Sequence, residues 1–439
     1  VLERENLSGK RVTVVGLGRF GGGIGVTRWL CGQGARVTVT DSAPADALGE
    51  SIARLGDCGA ELHLGGHDPA DFTDADMLVV SPAVPPTIAP LQAARDAGLA
   101  MTTEINLFIA RCPATLVGIT GSVGKSTTTA MVGEILARRF TTHVGGNIGR
   151  SLLEDLPQIA PDHVVVLELS SFQLESLPQV AISPRVAVVT NLMPNHLDRH
   201  GNMDAYAAAK MNLFAFQGPA DTLVLNADCP ATRNWAKAAR GRVVFFSAGD
   251  DPFELAVPGG HNQANAQAAW QACRALGVDR PTASQALRQF GGLPHRLNLV
   301  CKVDEVRYFN DSKCTTPQGA MVALDGFDPR RVVMIVGGYD KGASFAELGR
   351  RLAERAKAVI AIGATAGKIV AAVEAATAAT EAGPLVRRAG SLPDAVAAAR
   401  ELAEPGDAVL LSPACASYDM FDNYEQRGEL FERLARPIT

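Results

Sequence analysis

The stretch Leu116–Thr129, LVGITGSVGKSTTT, restricts the fold more than any other part of the chain. Leu116-Val117-Gly118-Ile119 is an apolar run that reads as a short buried strand. It breaks at Thr120-Gly121-Ser122-Val123-Gly124, and Met131, Val132, Ile135 and Leu136 then share one helical face. A strand feeding a helix through a glycine turn is the unit of an open α/β sheet, with its ligands at the strand ends. Gly121 and Gly124 let backbone N–H groups converge on an anion, and the helix aims its positive end there. Lys125 supplies a point charge for outer phosphates, and the Ser126 hydroxyl suits Mg²⁺. The loop is a short variant, because Gly121 lies only three residues before Gly124.

A second glycine turn lies near the start. Arg11–Val15 reads as a strand, followed by Gly16-Leu17-Gly18-Arg19-Phe20-Gly21 and a helix; Val37–Thr40 is the next strand, ending at Asp41. This is the dinucleotide fingerprint. Physically it asks for a pyrophosphate at a helix N-terminus and a hydroxyl near Asp41, which any diphosphate-bearing ligand would satisfy. A strand at Met77–Val80 then delivers Ser81–Pro86 to the same edge.

At 439 residues the chain has room for two or three domains, and 47% hydrophobic against 20% charged residues fills large cores easily. The net charge of −5 offers no basic surface for nucleic acid, so an anionic substrate needs locally placed cations or metal. Eight cysteines without a C-x-x-C pair show neither a zinc knuckle nor a redox pair. Free thiols, a polar start and no apolar run near ~20 residues predict a cytoplasmic protein without a membrane span.

Further strands end in polar residues. Val164–Leu167 delivers Glu168 and Ser170–Gln173; Arg185–Thr190 delivers Asn191 and then Asn195-His196-Leu197-Asp198. An acid and a histidine at strand ends near a phosphate loop suggest a metal and phosphate constellation. His200 is read as a solvated loop residue. Asn262 and Asn265 share one helical face, where amides can read a base edge. Val306–Asn310 ends in Asp311-Ser312-Lys313, Val332–Val336 leads to Lys341, and Val409–Leu411 leads to Ser417. The Ala-rich stretch Ala371–Ala382 reads as an outer helix without chemistry.

These motifs together resemble the Mur ligase family over almost the whole chain. Thr120–Thr127 resembles its shortened phosphate loop, with Val123 where Asn is usual. Gly145–Gly149 resembles its G-G-N-I-G loop, and Leu167–Leu174 its L-E-x-S-S-F-Q-L run. Asn195–Arg199 resembles D-H-x-D-R with Asn195 in place of an acid. His261-Asn262 and Asn265 match H-N-x-x-N. Gly292–Arg296 matches G-L-P-H-R, Asn310–Lys313 matches N-D-S-K, and Leu411–Ser417 with Asn423–Gly428 matches the amino-acid-binding end. The first domain resembles the family more loosely.

The resemblance implies an α/β protein of three domains. These are a Rossmann-like UDP-sugar domain over 1–103, a central P-loop ATPase-type domain over 104–294, and a Rossmann-like amino-acid domain over 295–439. It implies an ATP-dependent ligase of peptidoglycan precursor synthesis, joining D-glutamate to UDP-N-acetylmuramoyl-L-alanine through an acyl phosphate. Lys125, Glu168, His196 and Lys210 are then the catalytic set. Two Mg²⁺ ions are expected, on Ser126, Glu168, His196 and a carbamylated Lys210. Gly121, Ser122, Val123, Gly124, Lys125, Ser126, Thr127, Asn262, Asn265, Arg296, Asp311 and Lys313 are expected to hold ATP. Gly18, Arg19, Phe20, Asp41, Ser42, Asn147, Thr315, Lys341, Ser417 and Tyr424 are expected to hold the other substrates. A monomer is expected, with closure about Pro294-His295 excluding water. An NAD-dependent dehydrogenase, argued from Gly16–Gly21 and Asp41, leaves the phosphate loop unexplained. A nucleotide switch would hydrolyse ATP without a sugar substrate. A sister ligase with another amino acid, or a folylpolyglutamate-type synthase, is the nearer alternative.

Overall fold

The computed structural model describes residues 4–18, 21–378 and 383–436. Arg19, Phe20 and the end of the Ala-rich stretch lie outside the described residues. Three sheets carry the fold. The first comprises β1 (Arg11–Val15), β2 (Arg36–Asp41), β3 (Glu61–Leu64), β4 (Met77–Val80) and β5 (Ala100–Thr102) in the order 3-2-1-4-5. The second comprises β6 (Thr115–Thr120), β7 (Thr142–Gly146), β8 (Val164–Glu168), β9 (Val186–Val189), β10 (Thr222–Asn226) and β11 (Arg242–Phe246) in the order 11-10-9-6-8-7. The third comprises β12 (Asn298–Val303), β13 (Val306–Asn310), β14 (Val332–Gly337), β15 (Ala358–Ile362), β16 (Leu385–Arg388) and β17 (Ala408–Leu411) in the order 12-13-17-14-15-16.

Every pairing is parallel except β12 with β13. Parallel strands are covered on both faces, which is why they read as unbroken apolar runs. All residues of β8, β9 and β17 are buried. Each Val or Leu so removed from water contributes about 1.5–3 kcal/mol. The glycine turns follow β1 and β6, the strands flanking the points where strand order reverses. Ligands of open α/β sheets bind there.

The chain divides into two compact units. One holds Val1–Pro252 and Ala264–Ala286, with the first two sheets; the other holds Phe253–Gln263 and Leu287–Thr439, with the third. Within the first unit both sheets share a core, to which the helix Glu104–Arg111 contributes Ile105, Leu107 and Phe108. Thr103 caps that helix, its Oγ1 accepting the Asn106 N–H at 3.3 Å.

The Ala-rich stretch is largely outside over its described residues 371–378, of which only Val373 is buried, while Ile369 and Val370 earlier in the helix Ala366–Thr377 enter the core of the second unit. One expectation is corrected. His200 is not solvated: its side chain is 2% exposed, and its Nε2 lies 2.9 Å from Ser171 Oγ. Its ring stacks on Phe172 at 5.4 Å, and this packing withdraws it from solvent. Among the described residues no helix is long and apolar enough to cross a membrane.

Candidate active site

The phosphate loop is held from the neighbouring strand end. Thr190 and Asn191 follow β9; Asn191 accepts the Val123 N–H through Oδ1 at 3.0 Å and returns a bond to Val123 O at 3.0 Å. Thr190 Oγ1 donates to Val123 O at 2.6 Å. Gly121 and Gly124 are required by packing as well as by conformation. A Cβ on Gly121 would run into Thr190 Oγ1, and one on Gly124 (φ 83°) into Asn265 Oδ1. Asn265 is therefore a buttress of the loop, also accepting Thr128 Oγ1–H at 3.3 Å. Asn262 is buried and donates to Pro258 O at 2.8 Å. Ser122 is buried between Met193 and the Tyr206 hydroxyl, Val123 is exposed, and Ser126 and Thr127 are half-buried at the start of the helix Lys125–Leu136.

Lys125 folds back on its own loop, donating to Gly121 O and Ser122 O at 3.1 Å each. Lys210 lies in the last turn of the helix Met203–Met211, which Asn202 caps. It is 1% exposed, donates to Gly121 O at 2.9 Å, and lies against the Tyr206 ring at 4.6 Å. Burial pushes its ammonium down to about 7; the Lys125 charge pushes the same way, and Glu168 opposes both. These three charged groups thus share one electrostatic neighbourhood.

Glu168 ends β8 and is 2% exposed. The following helix is capped by Ser170 in a reciprocal box with Gln173, so the carboxylate is not spent on capping. Its Oε1 accepts from Asn147 Nδ2 at 2.8 Å, while Oε2 is buried without a partner. A buried orphan carboxylate oxygen beside a phosphate loop fits a hard cation. Among the described residues no three His, Cys, Asp or Glu side chains converge on one point, so such a cation needs other oxygen donors. His196 is exposed at φ 54°, with its ring 5.0 Å from Phe172 and 6.5 Å from Tyr206, the ring that Lys210 touches.

A cavity of about 290 Å³ opens in the same unit between the first two sheets. Gly16, Gly18 and Gly23 line one part of it, Asn147, Ser170 and Phe172 another. Asp41 turns inward, its carboxylate accepting Gly18 N–H at 3.1 Å and Ala43 N–H at 2.9 Å, which fixes the glycine turn; Ser42 is exposed. Sequence spacing missed Arg199, which stacks on Phe172 at 4.1 Å and donates to Pro82 O.

The second unit presents the remaining predicted residues. Arg296 is exposed. Asp311 is buried and holds the backbone, accepting Leu297 N–H at 3.1 Å and Ser412 Oγ–H at 2.7 Å; burial pushes its carboxyl up to about 6. Lys313 is exposed over Tyr424 at 5.4 Å, and Thr315 is half-buried. Ser417 is buried, and exposed Lys341 lies 5.8 Å from the Tyr418 ring. Burial and Glu425 push the Tyr424 phenol up to about 12. Behind these residues, Arg427 is fully buried and donates to Ser312 O, Cys415 O and Ala416 O at 2.8, 3.1 and 3.3 Å. It ties the loop after β13 to the loop after β17. Only its place in the Asn423–Gly428 run hinted at that.

This assembly of a short phosphate loop, a buried carboxylate and a glycine-turn domain has close relatives. Residues 10–103 match the Mur ligase MurD-like N-terminal domain, 119–256 the Mur ligase middle domain, and 295–415 the Mur ligase glutamate ligase domain. The chain belongs to the Mur ligase family. It is 42% identical to the UDP-N-acetylmuramoylalanine–D-glutamate ligase of Symbiobacterium thermophilum, covering 98% of both chains. It is 40% identical to the ligase of the same name in Pelotomaculum thermopropionicum, covering 97% of both. The crystal structure of UDP-N-acetylmuramate-alanine ligase from Thermotoga maritima shares the fold, with a TM-score of 0.60 at 19% identity over 97% of this chain and 100% of that one.

Proposed function

We propose that this chain joins D-glutamate to the alanyl carboxylate of UDP-N-acetylmuramoyl-L-alanine, converting ATP to ADP and phosphate. The observation that carries the reading is the phosphate loop packed against buried Lys210, beside Glu168, whose partner Asn147 lines the adjoining cavity. A carboxylate is a poor acyl donor because its leaving group would be oxide. Transfer of the γ-phosphoryl group to it makes an acyl phosphate; the amino group of glutamate then attacks, and phosphate leaves through a tetrahedral oxyanion. The protein's task is positioning and charge neutralisation.

In this reading Gly121–Thr127 cradle the ATP phosphates, Lys125 swings from its loop carbonyls onto them, and Asn265 keeps the cradle in shape. Asn262, Arg296, Asp311 and Lys313 serve the nucleotide from the remaining motifs. Gly18, Asp41 and Asn147 serve the UDP-sugar. Ser126, Glu168, His196 and Lys210 as its carbamate would hold two Mg²⁺ ions. Mg²⁺, when bound, offsets the charge on the transferring phosphoryl group. A carbamate forms when a neutral lysine amine adds to CO₂, making an N–C bond and releasing one proton; the buried Lys210 amine is suited to that. The domains are assigned to 1–103, 104–294 and 295–439, and the working state to a monomer.

Thr315 joins Lys313 in clamping the phosphates, and Lys341, Ser417 and Tyr424 serve glutamate. A dicarboxylate meeting a chain of net charge −5 needs local cations and N–H donors, and Lys341 is an exposed ammonium beside the Ser417 loop. Losing one charge-assisted contact costs ~1.5–3 kcal/mol. Lys341→Ala is therefore expected to raise the glutamate KM roughly tenfold or more, with the ATP KM within a few-fold of wild type in steady-state assays.

The test of the function is ADP and phosphate release with UDP-N-acetylmuramoyl-L-alanine and a panel of amino acids. D-glutamate should give the fastest release, and almost none should occur without both acceptors. Faster release with meso-diaminopimelate, L-lysine or L-alanine would overturn the assignment.

A further inference from the structure

Glu104 opens the helix Glu104–Arg111 and lines the cavity of the first unit. An acid in the first turn of a helix is ordinarily a solvated complement to the helix dipole. Here the carboxylate is turned into the cavity, and its Oε1 accepts the Ser151 hydroxyl at 2.5 Å. Ser151 is itself 7% exposed and lines the same cavity. It is wedged against the helix Gly22–Gly32, where a Cβ on Gly25 would strike its own Cβ. The pair is therefore fixed in place.

Among the described residues no cation pairs with Glu104. On the elements packed around it, Arg28 is paired with Glu154 at 3.1 Å and Arg150 with Asp155 at 2.8 Å. Burial pushes the Glu104 carboxyl up to about 7, and the Ser151 hydrogen bond opposes this. The cavity wall thus carries an acid that is half neutral near pH 7.

The cavity is lined by Gly16, Gly18 and Gly23, at the glycine turn and its helix N-terminus, and by Asn147, whose amide holds Glu168. A ligand with a diphosphate on the glycine turn and a carboxylate at the Glu168 end must lay its uncharged middle along the wall between. We propose that Glu104, oriented by Ser151, binds that middle portion, hydrogen-bonding the hydroxyl and acetamide groups of the amino sugar. This rests on the UDP-sugar reading given above. A neutral carboxyl there can donate as well as accept; an ionised one loses the donor and repels the anionic ligand.

The experiment is steady-state kinetics of Glu104→Ala and Glu104→Gln against wild type from pH 6.5 to 8.5, with calorimetric titration of UDP-N-acetylmuramoyl-L-alanine. Glu104→Ala should raise the sugar-substrate KM about five- to tenfold, the scale of one lost hydrogen bond. The ATP and glutamate KM values should stay within about twofold. In wild type the sugar-substrate KM should climb with pH through 7, and Glu104→Gln, which keeps donor and acceptor without ionising, should flatten that climb. If Glu104→Ala does not fold, the Glu104→Gln pH profile decides alone. An unchanged sugar-substrate KM in Glu104→Ala, a common shift of all three KM values, or a wild-type pH profile in Glu104→Gln overturns the proposal. Wild type that releases no ADP with the sugar substrate would instead overturn the parent reading.

Discussion

Lys125→Ala is expected to lower kcat by ~10²–10³ or more, the scale of deleting one preorganised electrostatic donor. The structure sharpens the reason. In the protein as it stands the Lys125 ammonium satisfies itself on Gly121 O and Ser122 O, so removing it leaves the loop intact. The loop's shape comes from Thr190, Asn191 and the two glycines. The loss should therefore be one of charge, not of folding. The measurement is kcat with saturating substrates, alongside the affinity for UDP-N-acetylmuramoyl-L-alanine, which should change little because that ligand's cavity does not include Lys125. A kcat within a few-fold of wild type would end the phosphate-loop reading.

The second large effect is at Lys210. An ammonium beside Mg²⁺ would be repelled, whereas a carbamate carries the opposite charge and offers oxygen ligands. The Lys210 side chain is enclosed by Gly121, Thr120 and the Tyr206 ring, so its deletion leaves a walled hole. Lys210→Ala is expected to be inactive and to regain part of its activity when short carboxylic acids such as acetate or formate fill that hole. Rescue should saturate with acid concentration and should not occur with the corresponding amides. An active Lys210→Ala enzyme, or failure of every small acid to restore ADP release in a folded variant, would count against the carbamate.

The phosphate loop and the sheet edges were readable because their demands are local. An apolar run ending in Gly121 or in Glu168 shows both the strand and what it delivers, and the strands so read, such as β6, β8 and β17, fall within a residue or two of their observed bounds, whereas β3, β5, β7, β10, β11 and β16 were not marked. Side chains whose partners come from another segment were not readable. His200 looked like a loop residue because Ser171 and Phe172, which enclose it, lie 29 and 28 positions earlier. Arg427 entered only as part of the Asn423–Gly428 run, with no partner in view. Its carbonyl partners, Ser312, Cys415 and Ala416, become neighbours only when β13 and β17 pair. Asn265 suggested a base reader, yet a glycine's missing side chain on the phosphate loop is what gives it a place. Glu104 matched the pattern of a dipole-complementing acid so well that nothing in the sequence marked it out.

The helix Gly260–Ala275 bears on how the molecule can be dissected. The match to the family's middle domain stops at residue 256, yet Ala266, Ala269, Ala272 and Cys273 beyond it are fully buried. Thr128 bonds Asn265, the Cys273 thiol reaches Val132 O, and Arg139 donates to Gly277 O. The rear of the phosphate-loop helix is thus completed by chain that follows an excursion through the other unit. A fragment ended at residue 256 would lose the Cys273 contact to Val132 O and the side chain that props Gly124. During synthesis the same holds: the nucleotide cradle reaches its final support only after the chain through Gly277 has left the ribosome, so its ordering waits on chain well past the end of the family match.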